Sequence, residues 1–293
     1  MKKRSLGEKI FTVFNFVILS TAALTCLLPF INVLAMSLSS NAMVSSGDVG
    51  LIPKDFSLNS YAYLINKAPF WRAFGISVVR VVLGVGINML LTVTIAYPLS
   101  KSKDKFPSRT LYVWFFFFTT LLSGGLIPSY FLINQLKLTD TIWALVLPSA
   151  VPVFNIILML NFYRQVPSEL EDAALIDGAG HWRTLWQIFL PCSLPAVATL
   201  TLFCTVGHWN AWFDGLIYCN DPNNYPLQSY LQNVIVAMDF SSTGVQDFDL
   251  IKELSDSTLK SAQIIIATLP ILCVYPFLQR YFVTGLVVGS VKG

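Results

Sequence analysis

The sequence predicts an all-α membrane protein with six transmembrane helices, on three observations. Hydrophobic residues make up 55% of the 293-residue chain and charged residues only 12%, against about 25% charged in a soluble domain. Six apolar runs are long enough to cross a bilayer, which takes about 20 residues each. The basic residues divide unevenly between alternate loops, twelve on one side and six on the other, as the positive-inside rule requires. A soluble fold of this length could not hide so much apolar surface. The alternating strands of an outer-membrane barrel are absent.

The chain opens with Lys2, Lys3 and Arg4 and is apolar from residue 10 to 36. That run is far longer than a signal-peptide core of about 7–15 residues, and no cleavage site closes it. It is a first span that the mature protein keeps. A long outer loop, 37–73, follows. The second span, 74–99, contains Arg80, which snorkels or pairs with a loop carboxylate. The short loop after it carries Lys101, Lys103, Lys105 and Arg109, and this cluster places both termini in the cytoplasm. Spans three (111–135), four (142–163), five (194–213) and six (261–282) hold or adjoin Pro128, Pro148, Pro152 and Pro270. In a bundle, neighbours satisfy the carbonyls that proline frees, so these residues kink a span without ending it. The second outer loop, 214–260, is acidic, with Asp239, Asp247, Asp249, Glu253 and Asp256, and is expected to order only partly by itself.

Several chemistries are excluded or disfavoured. None of the six span cores holds an Asp or Glu, groups that cost about 2.5–3.5 kcal/mol at mid-membrane and that ion-coupled carriers keep for coupling. No G-x-x-x-x-G-K-[ST] phosphate loop occurs, so an ATPase that drives this protein is a separate chain. With only His181 and His208, no metal site is expected. Cys26, Cys192, Cys204, Cys219 and Cys273 read as small buried hydrophobes, not as a disulfide frame. No basic patch interleaved with aromatics points to nucleic acid.

The function is carried by residues 166–191, between spans four and five. Ser168 and Glu171 have the spacing of a capping box, and Glu169, Glu171 and Asp172 suit the positive end of a helix. Leu170, Ala173, Ala174 and Ile176 give a short apolar face. Asp177-Gly178-Ala179-Gly180 breaks the helix. A second helix follows with Trp182, Leu185, Trp186 and Phe189 at helical spacing, and Pro191 leads into span five. This helix–turn–helix knob is too short for a core of its own. Its apolar face lies on lipid headgroups as an interfacial helix, or docks on a partner. Anionic lipid would repel its acidic groups, which favours the partner.

This stretch resembles the binding-protein-dependent ABC importer permeases, which carry E-A-A, three residues, Gly, nine residues, I-x-L-P in this loop. Here Asp172-Ala173-Ala174, Gly178 and Ile188-Phe189-Leu190-Pro191 have the same spacing, with Asp in place of the first Glu. Ile176-Asp177-Gly178-Ala179, the run Ala-Tyr-Pro-Leu-Ser at 96–100, His208-Trp209-Asn210, Tyr225-Pro226-Leu227-Gln228 and the tail at 285–293 are similar to the carbohydrate branch, and most to permeases for oligosaccharide and complex-polysaccharide uptake. The resemblance implies a type I importer permease fold with a cytoplasmic coupling-helix loop, in the membrane of a bacterial cell. It implies ATPase docking through Glu171, Asp172, Ala173, Ala174, Asp177, Gly178, Ile188, Leu190 and Pro191, and a tail contact to the ATPase through Gly289, Lys292 and Gly293. The implied partners are a similar but non-identical permease, two ATPase subunits that bind ATP and Mg, and an extracytoplasmic solute-binding protein. The chain itself would bind no cofactor. Its cargo would be a sugar or oligosaccharide, contacted through His208, Trp209, Asn210, Trp143 or Asn155. Each of these also has a plain structural role, as interfacial belt or as a bridge between helices. The alternatives are an ion-coupled carrier, an importer permease for another solute, and a membrane-embedded enzyme or scaffold.

Overall fold

The computed structural model describes residues 6–122, 124–241 and 256–290. Lys2, Lys3, Arg4, Asp247, Asp249, Glu253, Lys292 and Gly293, singled out above, lie outside them. Among the described residues every regular element is helical, and the one β contact is an isolated antiparallel bridge between Ser39 and Phe56. In order the helices are α1 (Leu6–Ser37), α2 (Asn41–Ser45), α3 (Asn59–Ile65), α4 (Ala68–Ser100), α5 (Arg109–Leu121), α6 (Leu126–Gln135), α7 (Ile142–Val146), α8 (Val153–Tyr163), α9 (Ser168–Ile176), α10 (His181–Thr184), α11 (Leu190–Cys192), α12 (Leu194–Asn210), α13 (Phe213–Tyr218), α14 (Leu227–Ser241) and α15 (Asp256–Ser290). The described residues within 1–68 and 233–269 form one compact unit, and those within 69–232 and 270–293 another.

In the first unit α1 is 32 residues long, about 48 Å at the helical rise, and none of its most apolar window is buried in the chain. An all-round apolar surface of this kind faces lipid or another helix. Beyond Ser37 the chain turns back on itself. Ser40 N–H donates to Asp55 O at 2.9 Å and Ser57 N–H to Leu38 O at 3.0 Å. Asn32 and Ser37 pin this fold-back through Gly50 O and the Tyr61 hydroxyl.

In the second unit α4 is a single rod of 33 residues, counting Ala68 at its start. Its buried positions Ala73, Ser77, Arg80, Gly84, Asn88, Thr92 and Ala96 recur every three to four residues, one helix face in register. Most are small, which lets neighbours approach closely. The core joins α4 (Val93, Ala96, Tyr97), α8 (Ile156, Met159, Tyr163), the π-helical turn Leu185–Phe189 and α12 (Ala196, Leu200).

Two of the expected spans are not continuous helices. Span three divides into α5 and α6 where Gly125 takes φ 82°, a conformation that favours glycine. Span four divides into α7 and α8, bent by 49°, because Pro148 and Pro152 lack the N–H that an unbroken helix needs. The carbonyls of Ser149 and Ala150 are taken by Asn88 Nδ2, at 2.7 and 2.9 Å. Span five ends at Asn210, three residues before the expected limit, and α12 meets the preceding His181–Cys192 segment at 85°. The sixth helix runs beyond 282 to Ser290. The tail is therefore helical through Gly289, since glycine weakens a helix without forbidding it.

Candidate functional site

The knob between α8 and α12 is built as helix, turn, helix, but its first turn differs from the sequence expectation. Ser168 is the first residue of α9, not its cap. Pro167 precedes it, and no side chain caps the end. Glu171 does not reach back to the backbone. Its carboxylate lies 3.0 Å from Lys101 Nζ and 3.6 Å from Lys105 Nζ. A full charge outcompetes a neutral amide for a buried carboxylate. Lys101 and Glu171 are 8% and 7% exposed, so each neutralises a charge that would otherwise be stranded. The Lys101 ammonium also sits over the rings of Tyr97 at 3.8 Å and Phe189 at 4.0 Å, faces that attract a cation. Burial holds the Lys101 pKa below the usual lysine range, against the opposing pull of Glu171. Exposed Lys105 is held above that range, first by its hydrogen bond to Asp172 at 3.1 Å.

The turn explains the glycine of the motif. Gly178 has φ 75°. Its N–H donates to Leu175 O at 3.1 Å, and Ala179 N–H donates to Ala174 O at 2.8 Å. This is the Schellman pattern, in which a left-handed residue after the helix satisfies the last carbonyls. On the return arm Leu185 and Phe189 are buried in the core, while Trp182 and Trp186 are exposed.

The residues expected to dock therefore divide. Glu171 and Ala174 are buried within the chain and cannot be contact surface, because ion pairing and packing hold them inside. Ile188 and Leu190 are half-buried against the core. Asp172, Ala173, Asp177, Gly178 and Pro191 are exposed. Around them Leu170, Leu175, Ile176 and Trp182 also face outward, Ile176 being 86% exposed. The clamp residues Lys101, Lys105 and Tyr97 were not among the expected site residues. The signal was two lysines four apart, matched by adjacent carboxylates.

A second polar cluster joins α4, α7, α8, α12 and α13. Arg80 pairs with Asp214 through both terminal nitrogens and donates to Ala211 O at 3.0 Å and Leu145 O at 3.4 Å. His208 and Asn88 share a hydrogen bond of 2.7 Å. Asn155 donates to Cys204 Sγ at 3.2 Å. A methyl at Gly84 would overlap the His208 ring. His208 and Asn155 line a cavity of about 390 Å³ with Arg80, Asn88 and Asp214. The other expected path residues do not line it. Trp209 is buried edge-on to Phe74, Asn210 is exposed, and Trp143 lies on α7. On the connections around this cluster, Asp140 accepts hydrogen bonds from the backbone N–H of Asn220 (2.6 Å) and Asp221 (2.8 Å) and from Asn220 Nδ2 (3.0 Å). These bonds hold its pKa below the usual carboxylate range.

Long apolar helices, broken spans and a clamped knob are the features of a polytopic membrane protein. Over residues 1–288 the chain matches the family described as the binding-protein-dependent transport system inner membrane component, and it belongs to that family. It is 40% identical over 285 residues to Protein LplC of Bacillus subtilis, covering 97% of this chain and 96% of that protein. It is 36% identical over 288 residues to YtcP, a polygalacturonan/rhamnogalacturonan transport system permease protein of the same species, covering 98% and 100%. The fold superposes on a chain in the crystal structure of a bacterial ABC transporter involved in the import of the acidic polysaccharide alginate. The TM-score is 0.83 at 31% identity, with 96% of this chain and 100% of that one covered. The chain is thus an ABC importer permease with the type I fold, a transport subunit and not an enzyme.

Proposed function

We propose that this chain imports a sugar or oligosaccharide across a bacterial cell membrane as one of two similar but non-identical permeases. Two ATPase subunits, which bind ATP and Mg, and an extracytoplasmic solute-binding protein complete the importer, and both termini lie in the cytoplasm. Relatives named for polysaccharide transport support the cargo class. The observation that carries the coupling role is the knob itself. An exposed apolar surface around Ile176 and Trp182 is fixed to the end of α4 by a buried ion pair. A surface so rigidly mounted passes displacement of an ATPase to the bundle. Asp172, Ala173, Asp177 and Gly178 make the contact, while Glu171, Ala174, Ile188, Leu190 and Pro191 hold its shape. Gly289 and, beyond it, Lys292 and Gly293 supply a second ATPase contact. The cavity beside His208 and Asn155 belongs to the cargo path.

Gly178→Val tests the coupling role. No neighbour lies within 4 Å of a side chain built at Gly178, so the cost is in the backbone, about 1–2 kcal/mol for a left-handed L-residue. In proteoliposomes holding the whole importer, Gly178→Val should abolish saccharide uptake and stimulated ATP hydrolysis while membrane insertion persists. Unaltered uptake and stimulation would refute docking. Ion-driven, vanadate-insensitive uptake by this chain alone would replace the importer with a carrier.

A further inference from the structure

The fold-back after α1 borders an open pocket of about 460 Å³ that shares no lining residue with the polar cluster around Arg80 or with the knob. Of the ten described residues that line it, nine carry a hydroxyl, amide or carboxylate, among them Ser40, Asn41, Asp55, Ser57, Asn59 and Thr258. We propose that this pocket is a contact site for the hydroxyl groups of a neutral saccharide, met before the cargo enters the bundle. The inference rests on the reading above, that the cargo is a saccharide and that residues 37–73 face outward.

The chemistry of the lining selects the ligand. Hydroxyl and amide groups both donate and accept, as sugar hydroxyls do. Ser40 Oγ is buried with no hydrogen-bond partner among the described residues, a state that costs free energy until a ligand supplies one. Asp55 is placed by its backbone, with φ 51° and its carbonyl accepting from Ser40 N–H. Its carboxylate forms no ion pair among the described residues, which leaves it open to a pair of sugar hydroxyls. Among the described residues the lining contains no cationic side chain, so a uronate or phosphate would meet Asp55 without a counter-charge from them. A single carboxylate makes a poor cation site, and no metal-holding group of His, Cys, Asp or Glu occurs among the described residues. The volume lies within the range of about 300–1,000 Å³ of small-molecule sites. No aromatic face among the described residues lines it, so binding is weak and suits a passing contact.

The test uses the whole importer in nanodiscs without its binding protein, with ligand-observed NMR of cellobiose and of digalacturonate. Wild type should bind cellobiose more tightly than digalacturonate. Asp55→Gly keeps the left-handed backbone and removes the carboxylate, and it should weaken cellobiose about tenfold, the loss of one charged hydrogen bond. Asp55→Asn, which tolerates the same backbone, controls for folding through its melting temperature and should fall between. Equal cellobiose affinity in wild type and Asp55→Gly, or a preference for digalacturonate, would overturn the site. So would an effect of Asp55→Gly confined to affinity for the solute-binding protein, which would mark a protein-docking face. With the five native cysteines replaced by serine, Ser57→Cys should label with an impermeant thiol reagent from outside. Labelling only from the cytoplasm would overturn the orientation and the site with it, whereas saccharide uptake by wild type tests the importer reading separately.

Discussion

Glu171→Gln removes one partner of the clamp and leaves Lys101, 8% exposed, without its counter-charge. Breaking a buried pair from one side costs about 3–5 kcal/mol. Two features set the expectation at the low end. The rings of Tyr97 and Phe189 still face the ammonium, and Lys101, whose pKa burial already lowers, can shed its proton. A local cost of about 3 kcal/mol corresponds to amide exchange on the order of a hundredfold faster. Hydrogen-exchange mass spectrometry of the assembled importer reads this directly at the amides of Gly178 and Ala179, whose bonds close the turn. The double variant Lys101→Met/Glu171→Leu, which replaces both charges with apolar groups, should exchange more slowly than Glu171→Gln. In a cycle with Lys101→Met and the double variant Lys101→Met/Glu171→Gln, the coupling energy should reach about 2 kcal/mol. A value under about 0.5 kcal/mol, the level at which sites act independently, would refute the clamp.

Two further outcomes follow from the geometry. Gly84→Ala drives a methyl into the His208 ring, and overpacking of this kind costs about 1–3 kcal/mol; the purified variant should melt at lower temperature, and His208→Ala should restore part of the loss. Asp140 has a folded-state pKa below its unfolded value, so its contribution is full above the ordinary carboxylate range and is lost as pH falls through the folded value. Protection of the 218–224 amides should drop on acidification below about pH 4 in wild type, and Asp140→Asn should remove that dependence.

The apolar runs and the helix–turn–helix of the knob were legible because both are local. Length and hydropathy mark a span, and Gly178 marks a left-handed turn. The kinks at Pro148 and Pro152 were legible too, as was a carboxylate partner for Arg80. What supplies each partner was not legible. Asn88 answers carbonyls 61 and 62 residues away, and Glu171 finds Lys101 instead of its own helix end. Local spacing suggested a capping box there, and a buried charge overrode it. His208, Trp209 and Asn210 are adjacent in sequence, yet a helix turns each to a different side. Only His208 reaches the cavity.

The rod α4 differs from its neighbours in being unbroken. Arg80 and Lys101 are 21 residues apart in sequence, about 31 Å along the helix. One end is keyed to the knob, while Arg80 and Asn88 grip α7, α12 and α13 and the 149–150 corner. The one interior proline of α4, Pro98, falls in the last turn, so the shaft from Arg80 to Tyr97 has no joint at which to flex. Movement imposed at Lys101 arrives at Arg80 as translation or rotation of the whole helix. The places where the fold can give are the jointed helices, α5–α6 and α7–α8.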